Sequence, residues 1–239
     1  MNELVVIVEG ETEQTFVRDQ LAAHLALHGT TVWAVLPGKN RSHGGVKKWE
    51  VARRDIIRTL KEGRYCSSMF DYYAMPTDWP GRKESAAMPW QQRAHHVEGL
   101  ILTEIAAEMG GKFDPKHLIP YVQLHEFEAL AFANVQALAS VLSPLTHRRA
   151  ETLIADFTKI LEEAGDPEAI NDGYETCPSR RIAKVVPAYK KRAQGPIVTR
   201  RIGLEVLRER CNHFASWLDR LEKIGTKSSA ASSSDTIPD

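Results

Sequence analysis

Cysteine is scarce in this chain, and what there is of it lacks a pattern. Cys66, Cys177 and Cys211 are odd in number, widely spaced and free of any CxxC pair, so they support neither a disulfide framework nor a zinc site. They read as ordinary thiols of a reducing compartment. No apolar run approaches the ~18 residues that a membrane-spanning helix needs. The opening Met1-Asn2-Glu3 is acidic and enters a strand pattern at once, which is not the pattern of a signal peptide; the expectation is a cytoplasmic protein. Surplus charge is missing as well, because Lys+Arg and Asp+Glu both total 31. A protein that wraps nucleic acid by bulk electrostatics needs an excess of cations. An enzyme with a local basic patch beside an acidic metal site does not. No Walker A loop is present, so the chain is not itself a typical P-loop ATPase.

What the sequence does have is 239 residues with 43% hydrophobic content, enough to bury a core without disulfides or a structural metal. Leu4 to Val8 form an uninterrupted β-branched run, the pattern of a strand buried on both faces. Gly10 and Thr12, a candidate N-cap, lead into helical spacing over 13–28. Strand patterns follow over 31–36, 66–73 and 118–124, with helical spacing over 46–62 and 91–109 between them. Such alternation predicts an α/β domain over 1–130 with a mainly parallel sheet flanked by helices. Beyond it, helical segments near 133–142, 146–164 and 200–223 predict a C-terminal helical extension over 131–224 that packs on the sheet. The Ser/Ala-rich stretch 225–239 reads as a disordered tail.

Acidic residues fall at the ends of three predicted strands: Glu9, Asp71, and Glu126 with Glu128. In an open parallel sheet the carboxyl ends of the strands form the ligand-binding rim. Carboxylates that converge repel one another, and a divalent cation with a preference for hard oxygen ligands, Mg²⁺ or Mn²⁺, relieves that repulsion. Each acid also has a plain structural reading as a solvated loop residue or helix cap. Glu13 is placed to do two things, complementing the helix dipole in the first turn and facing the same rim.

The segment Val6-Ile7-Val8-Glu9-Gly10-Glu11-Thr12-Glu13 resembles the opening motif of Toprim domains, in particular the EGxTE form found in OLD-family nucleases. The resemblance implies a Toprim-like sheet and metal-dependent phosphodiester cleavage. Its later Asp motif would be supplied by Asp71 in Phe70-Asp71-Tyr72-Tyr73, with Asp78 from the following loop where the usual second aspartate position holds Tyr73. Longer signatures, FDYYAMPTDWPG, PYVQLHEFEAL, INDGYET, PSRRI and CNHFASWL, resemble an uncharacterised bacterial family related to Toprim proteins. That family is found beside ABC-type AAA ATPases in defence-like gene pairs. It implies a nuclease effector for phage defence, controlled by a partner ATPase, with homo-oligomerisation open.

These readings assign Glu9, Asp71 and Glu126 to catalysis and Glu9, Glu13, Asp71, Asp78 and Glu128 to Mg²⁺ or Mn²⁺. His125 has a pKa near neutrality and is a candidate acid or base, although a histidine before a helix is more often a hydrogen-bonded structural group. Lys39, Arg41, Lys47 and Lys48 flank Gly44-Gly45 in a basic segment suited to a DNA or RNA backbone. Arg180, Arg181 and Lys190 belong to a second basic cluster, with Lys184, Lys191 and Arg192. Some of these would approach the rim as a transition-state cation would. Either segment also reads as a solvated charged surface. Trp79, Trp90 and Trp217 read as core or interface groups, and Asn171-Asp172-Gly173 as a turn. The alternative from a different class is a non-catalytic regulatory subunit that keeps the fold and binds the ATPase.

Overall fold

The computed structural model describes residues 1–38, 48–170, 173 and 175–231, the side chains of 112 and 226–231 excepted. Strand β1 (Asn2–Val8) lies at the centre of a parallel sheet between β2 (Thr30–Val35) and β3 (Tyr65–Asp71). Val5 pairs with Trp33 on one side and Cys66 on the other. The apolar stretch expected over 118–124 is divided into β4 (Leu118–Ile119) and β5 (Val122–Gln123), both parallel to β3. Pro120 explains the division, since it has no N–H to give the ladder. Serines of β3 bridge the gap: Ser67 Oγ donates to Ile119 O at 2.6 Å, and Ser68 Oγ accepts the Tyr121 N–H at 3.0 Å.

Helical structure covers both faces. After β1 come α1 (Glu11–Phe16), a π-helical turn (Val17–Leu21) and α2 (Ala22–Leu27) in one run. Next are α3 (Trp49–Lys61), the single turn α4 (Arg82–Ser85) and α5 (Trp90–Met109). The C-terminal part holds a 3₁₀ segment (Phe127–Ala133), α6 (Val135–Leu142), α7 (Ala150–Ala164) and α8 (Pro178–Val185). It ends with α9 (Lys191–Ile202), α10 (Leu204–Arg210) and α11 (Asn212–Ala231). The one helix expected over 200–223 is therefore cut twice. Gly203 takes φ 82° and Cys211 is extended, so the apolar period continues across two breaks in the backbone.

Side-chain alternation along β1 divides the core. Leu4, Val6 and Val8 join Phe16, Phe127, Phe214 and Trp217 on one face, and Val5 and Ile7 join Trp49, Phe70, Trp79 and Ile101 on the other. The first of these cores is completed by α11. Trp217 stacks on Tyr121 at 4.4 Å between ring centroids, and its indole N–H donates to Ser67 Oγ at 2.9 Å. Each such fully buried large side chain contributes roughly 1.5–3 kcal/mol through its apolar surface. Thus the second half of the chain supplies a whole layer of the sheet's packing.

Helix α11 runs close to the start of β2. Asn2 Nδ2 donates to Ile224 O at 2.7 Å, and a Cβ placed on Gly225 would lie 1.4 Å from His28 O. Only a glycine allows that approach. The tail expected from residue 225 is accordingly corrected for its first part: the helix continues through Ala231, because Ala, Ser and Lys extend a helix that packing has already nucleated. Residues 232–239 lie outside the described residues.

Candidate active site at the carboxyl edge of the sheet

Glu9 follows the last residue of β1 and continues its ladder, donating its N–H to Met69 O at 3.0 Å. Its Oε2 accepts the backbone N–H of Asp71 at 2.9 Å, so the ends of β1 and β3 are joined through one carboxylate. Gly10 is the N-cap of α1, a position expected for Thr12; Thr12 lies instead inside the first turn and is buried. A Cβ on Gly10 would meet Glu13 Oε2 at 3.1 Å. The glycine therefore lets the buried Glu13 carboxylate fold back over the strand end.

Lys191, the first residue of α9, reaches this edge from the C-terminal half. Its Nζ lies 3.3 Å from Asp71 Oδ2 and 2.9 Å from Glu128 Oε2. Tyr189 donates its hydroxyl to Glu128 Oε1 at 3.1 Å, and Ser179 donates its N–H to Glu126 Oε2 at 3.0 Å. Another glycine makes the approach possible. A Cβ on Gly195 of α9 would lie 3.2 Å from Thr12 Cγ2, so α9 and α1 pack with almost no side chain between them. Between Glu128 and the sheet, His125 holds φ 65°, a left-handed conformation unusual for a residue with a Cβ.

Electrostatics follow from this crowding. Burial and then the neighbouring Glu13 push Glu9 up to about 7, with the Asp71 N–H and Lys191 opposing. Burial also raises Glu13 and Glu128 and drives Asp71 well above the usual carboxylate range, Lys191 pulling the other way in each case. Burial alone would lower Lys191, but Asp71, Glu128, Glu13 and Glu126 together hold it well above the usual lysine value. Here the lysine is the charged partner and the carboxylates compete for it.

Asp71 Oδ1 is buried and finds no hydrogen-bond partner among the described residues. A buried carboxylate oxygen without a donor is costly unless a cation meets it. Glu9, Glu13 and Asp71 offer only hard oxygens, the donor set that suits Mg²⁺ or Mn²⁺ and fits neither a soft metal nor a haem. A cleft of about 300 Å³ opens on Glu9 and Glu13, lined by Glu9, Gly10, Glu11, Thr12, Glu13, Lys191 and Arg192, with Asp71 buried behind it. Among the described residues, three possible ligand atoms come within 4.8 Å of one another in two places, His24/His28/Glu222 and His95/Glu98/His213, and neither is at the acidic edge. At the acidic edge Lys191 stands among the carboxylates as an internal counter-ion. A larger depression of about 450 Å³ beside α3 is lined by Glu50, Arg53, Arg54 and Glu108, whose charges are already paired with one another.

Of the acids expected at the edge, Glu9, Glu13, Asp71 and Glu128 come together, with Glu126 close enough to raise Glu9, Glu13 and Glu128. Asp78 does not join them. It is exposed and accepts the Trp49 N–H at 3.1 Å, capping α3 from the neighbouring loop. In the basic clusters, Lys190 is exposed at the N-cap of α9, and the adjacent Lys191 is the residue that turns inward. Arg180 pairs with Glu175 and Arg181 with Glu163, both on the surface of α8. Lys48 is exposed at the N-cap of α3. Lys39, Arg41 and Lys47 lie outside the described residues, as do Asn171 and Asp172. Tyr189 was not singled out by the sequence, since a tyrosine in a Pro/Lys-rich stretch carries no periodic signal.

Residues 8–222 match the family model described as a domain of unknown function, DUF4276, and the chain belongs to that family. No curated protein and no solved structure matches it.

Proposed function

We propose that this DUF4276 protein is a Mg²⁺- or Mn²⁺-dependent nuclease of Toprim type, cleaving phosphodiester bonds in DNA or RNA as a defence effector under a partner AAA/ABC-type ATPase. The observation that carries the reading is the meeting of Glu9, Glu13 and Asp71 at one sheet edge, with a buried Asp71 oxygen that no described donor satisfies. The EGxTE resemblance at Glu9 to Glu13 points the same way. Glu9, Glu13 and Asp71 would hold a divalent ion, which would supply charge stabilisation to phosphoryl oxygens and acidify a bound water.

The chain's own groups do the rest. Lys191 Nζ, fixed by Glu128 and Asp71, presents a cation to the cleft where negative charge grows on a scissile phosphate. Glu128 is in turn oriented by the Tyr189 hydroxyl. Glu9, which lines the cleft, is placed to accept a proton from an attacking water. Glu126, half-buried beside it, is the second candidate for that role.

A second reading rests on Lys191. Its ammonium already neutralises Asp71 and Glu128, as in a metal-free fold that serves as a regulatory or binding subunit of the ATPase. Incubation of the purified chain with mixed DNA and RNA in Mg²⁺ or Mn²⁺, alone and with the co-expressed ATPase, separates the two. Cleavage that disappears in Glu9→Ala and Asp71→Asn supports the nuclease. Absence of cleavage in every mixture, with a stable ATPase complex, supports the subunit.

A further inference from the structure

We infer a second metal site, for Zn²⁺ or a similar borderline ion, formed by His95 and Glu98 of α5 and His213 of α11. His213 Nε2 lies 2.9 Å from Glu98 Oε1, and His95 Nδ1 lies 3.6 Å from Glu98 Oε2. One donor atom from each of the three residues lies within 4.8 Å of the other two, close enough for a single ion to reach all three. Two imidazoles and one carboxylate form a donor set characteristic of zinc, and unlike the all-oxygen set at the strand ends.

The surroundings are those of a built site. Glu98 and His213 are 5% and 7% exposed, and His213 Nε2, the ring nitrogen that faces Glu98, also lies 3.1 Å from Val122 O. Glu98 Oε1 accepts the Val122 N–H at 2.8 Å, which fixes the carboxylate at the end of the sheet. Tyr121 stacks on the His213 ring at 5.0 Å, and His95 meets the same ring edge-on at 4.6 Å. Glu168 accepts the backbone N–H groups of His213 and Phe214 at 2.9 and 3.1 Å, anchoring the start of α11. A cleft of about 320 Å³, lined by His95, Asp166, Glu168 and His213 among others, leaves room for a water as fourth ligand. The ion takes the Nε2 side that faces Glu98, and the neutral His213 ring carries its proton on Nδ1. The site ties α11 to α5 across the end of β5. This inference is independent of the nuclease reading.

The test uses the full chain, stripped of metal with a chelator and titrated with Zn²⁺ by calorimetry in excess Mg²⁺. One equivalent binds at micromolar Kd or tighter, the thermal midpoint rises, and Co²⁺ gives the intense visible absorption of a four-coordinate site. His95→Ala alters an exposed side chain and leaves the Glu98–His213 pair in place. It weakens Zn²⁺ about tenfold or more and removes the thermal shift, whereas Glu9→Gln and His24→Ala do neither. Absence of stoichiometric Zn²⁺ overturns the assignment. So does binding that survives His95→Ala, or that is lost in His24→Ala, which would move the ion to His24, His28 and Glu222.

Discussion

Lys191 Nζ lies 2.9 Å from Oε2 of Glu128, a carboxylate whose side chain has no exposed surface. The pair joins α9 to the segment after β5, and the same ammonium reaches Asp71 at 3.3 Å. One lysine thus serves as counter-ion for two buried acids that arrive from different parts of the chain.

Removing that cation leaves both acids unpaired. Breaking a buried ion pair costs roughly 3–5 kcal/mol, and Lys191 keeps some contact with water, so Lys191→Met is expected to cost about 2–3 kcal/mol. Lys191→Arg retains the charge and loses less. Urea denaturation at neutral pH measures both. If Lys191 also meets the scissile phosphate, cleavage by Lys191→Met falls about 10²-fold or more even under conditions where the variant is fully folded.

Glu9 makes stability depend on pH in a defined sense. It titrates at 4.5 as a free side chain and at about 7 in the fold. Between those values the folded state retains a proton that the unfolded chain has released, so the unfolding free energy falls as pH rises through this window. At about 1.4 kcal/mol for each unit, the effect is on the order of 3 kcal/mol, shared with the carboxylates around it. In chelator, Glu9→Gln is therefore expected to be more stable than the parent protein at about pH 8 and equal to it near pH 4. Mg²⁺ should raise the denaturation midpoint of the parent at about pH 8 and leave the variant unchanged. A variant that loses stability at both pH values would show that Glu9 is held by something other than repulsion.

Gly225 reverses a general rule. Alanine in place of a helical glycine usually stabilises by about 1 kcal/mol. Here the added methyl group would fall on the His28 carbonyl, and α11 must shift or fray. Gly225→Ala is expected to destabilise by about 1–3 kcal/mol in thermal or chemical unfolding. Gly99→Ala in α5, where a Cβ meets nothing within 4 Å, is the control and should show the ordinary gain.

Glu168 is 2% exposed and works as a distant cap, accepting two N–H groups from the first turn of α11. Glu168→Ala leaves those donors buried without partners and is expected to cost about 2–3 kcal/mol. Glu168→Gln keeps one acceptor oxygen and should cost about half as much. Hydrogen exchange at His213 and Phe214 reports the loss directly.

The parts legible in the sequence were those with a local signature. An apolar run ending in Glu9-Gly10, and another ending in Asp71, mark strand ends without knowledge of the rest of the fold. The order of strands and helices follows from the same periodicity, and so does the α/β architecture. Lys191 has no such signature: nothing in Lys190-Lys191-Arg192 tells which cation faces inward until α9 is packed against α1 at Gly195. Asp78 was misplaced for the converse reason. Its loop follows β3 closely in sequence, yet its carboxylate is taken by the free N–H at the start of α3. Breaks at Gly203 and Cys211 are hidden because the apolar period of the C-terminal helices runs across them. Glu98 and His213 stand 115 positions apart, and only the fold makes them neighbours.

The hydrogen bond from Asn2 to Ile224 sets an order of events in synthesis. A ribosome releases β1 and its acids well before Phe214 and Trp217, which cover that strand's inner face. Until then the growing polypeptide carries greasy strands with no lid over them. Assembly of the acidic cleft waits on Lys191 and on α11 behind it, so a prematurely terminated product has the carboxylates without the architecture that brings them to one place.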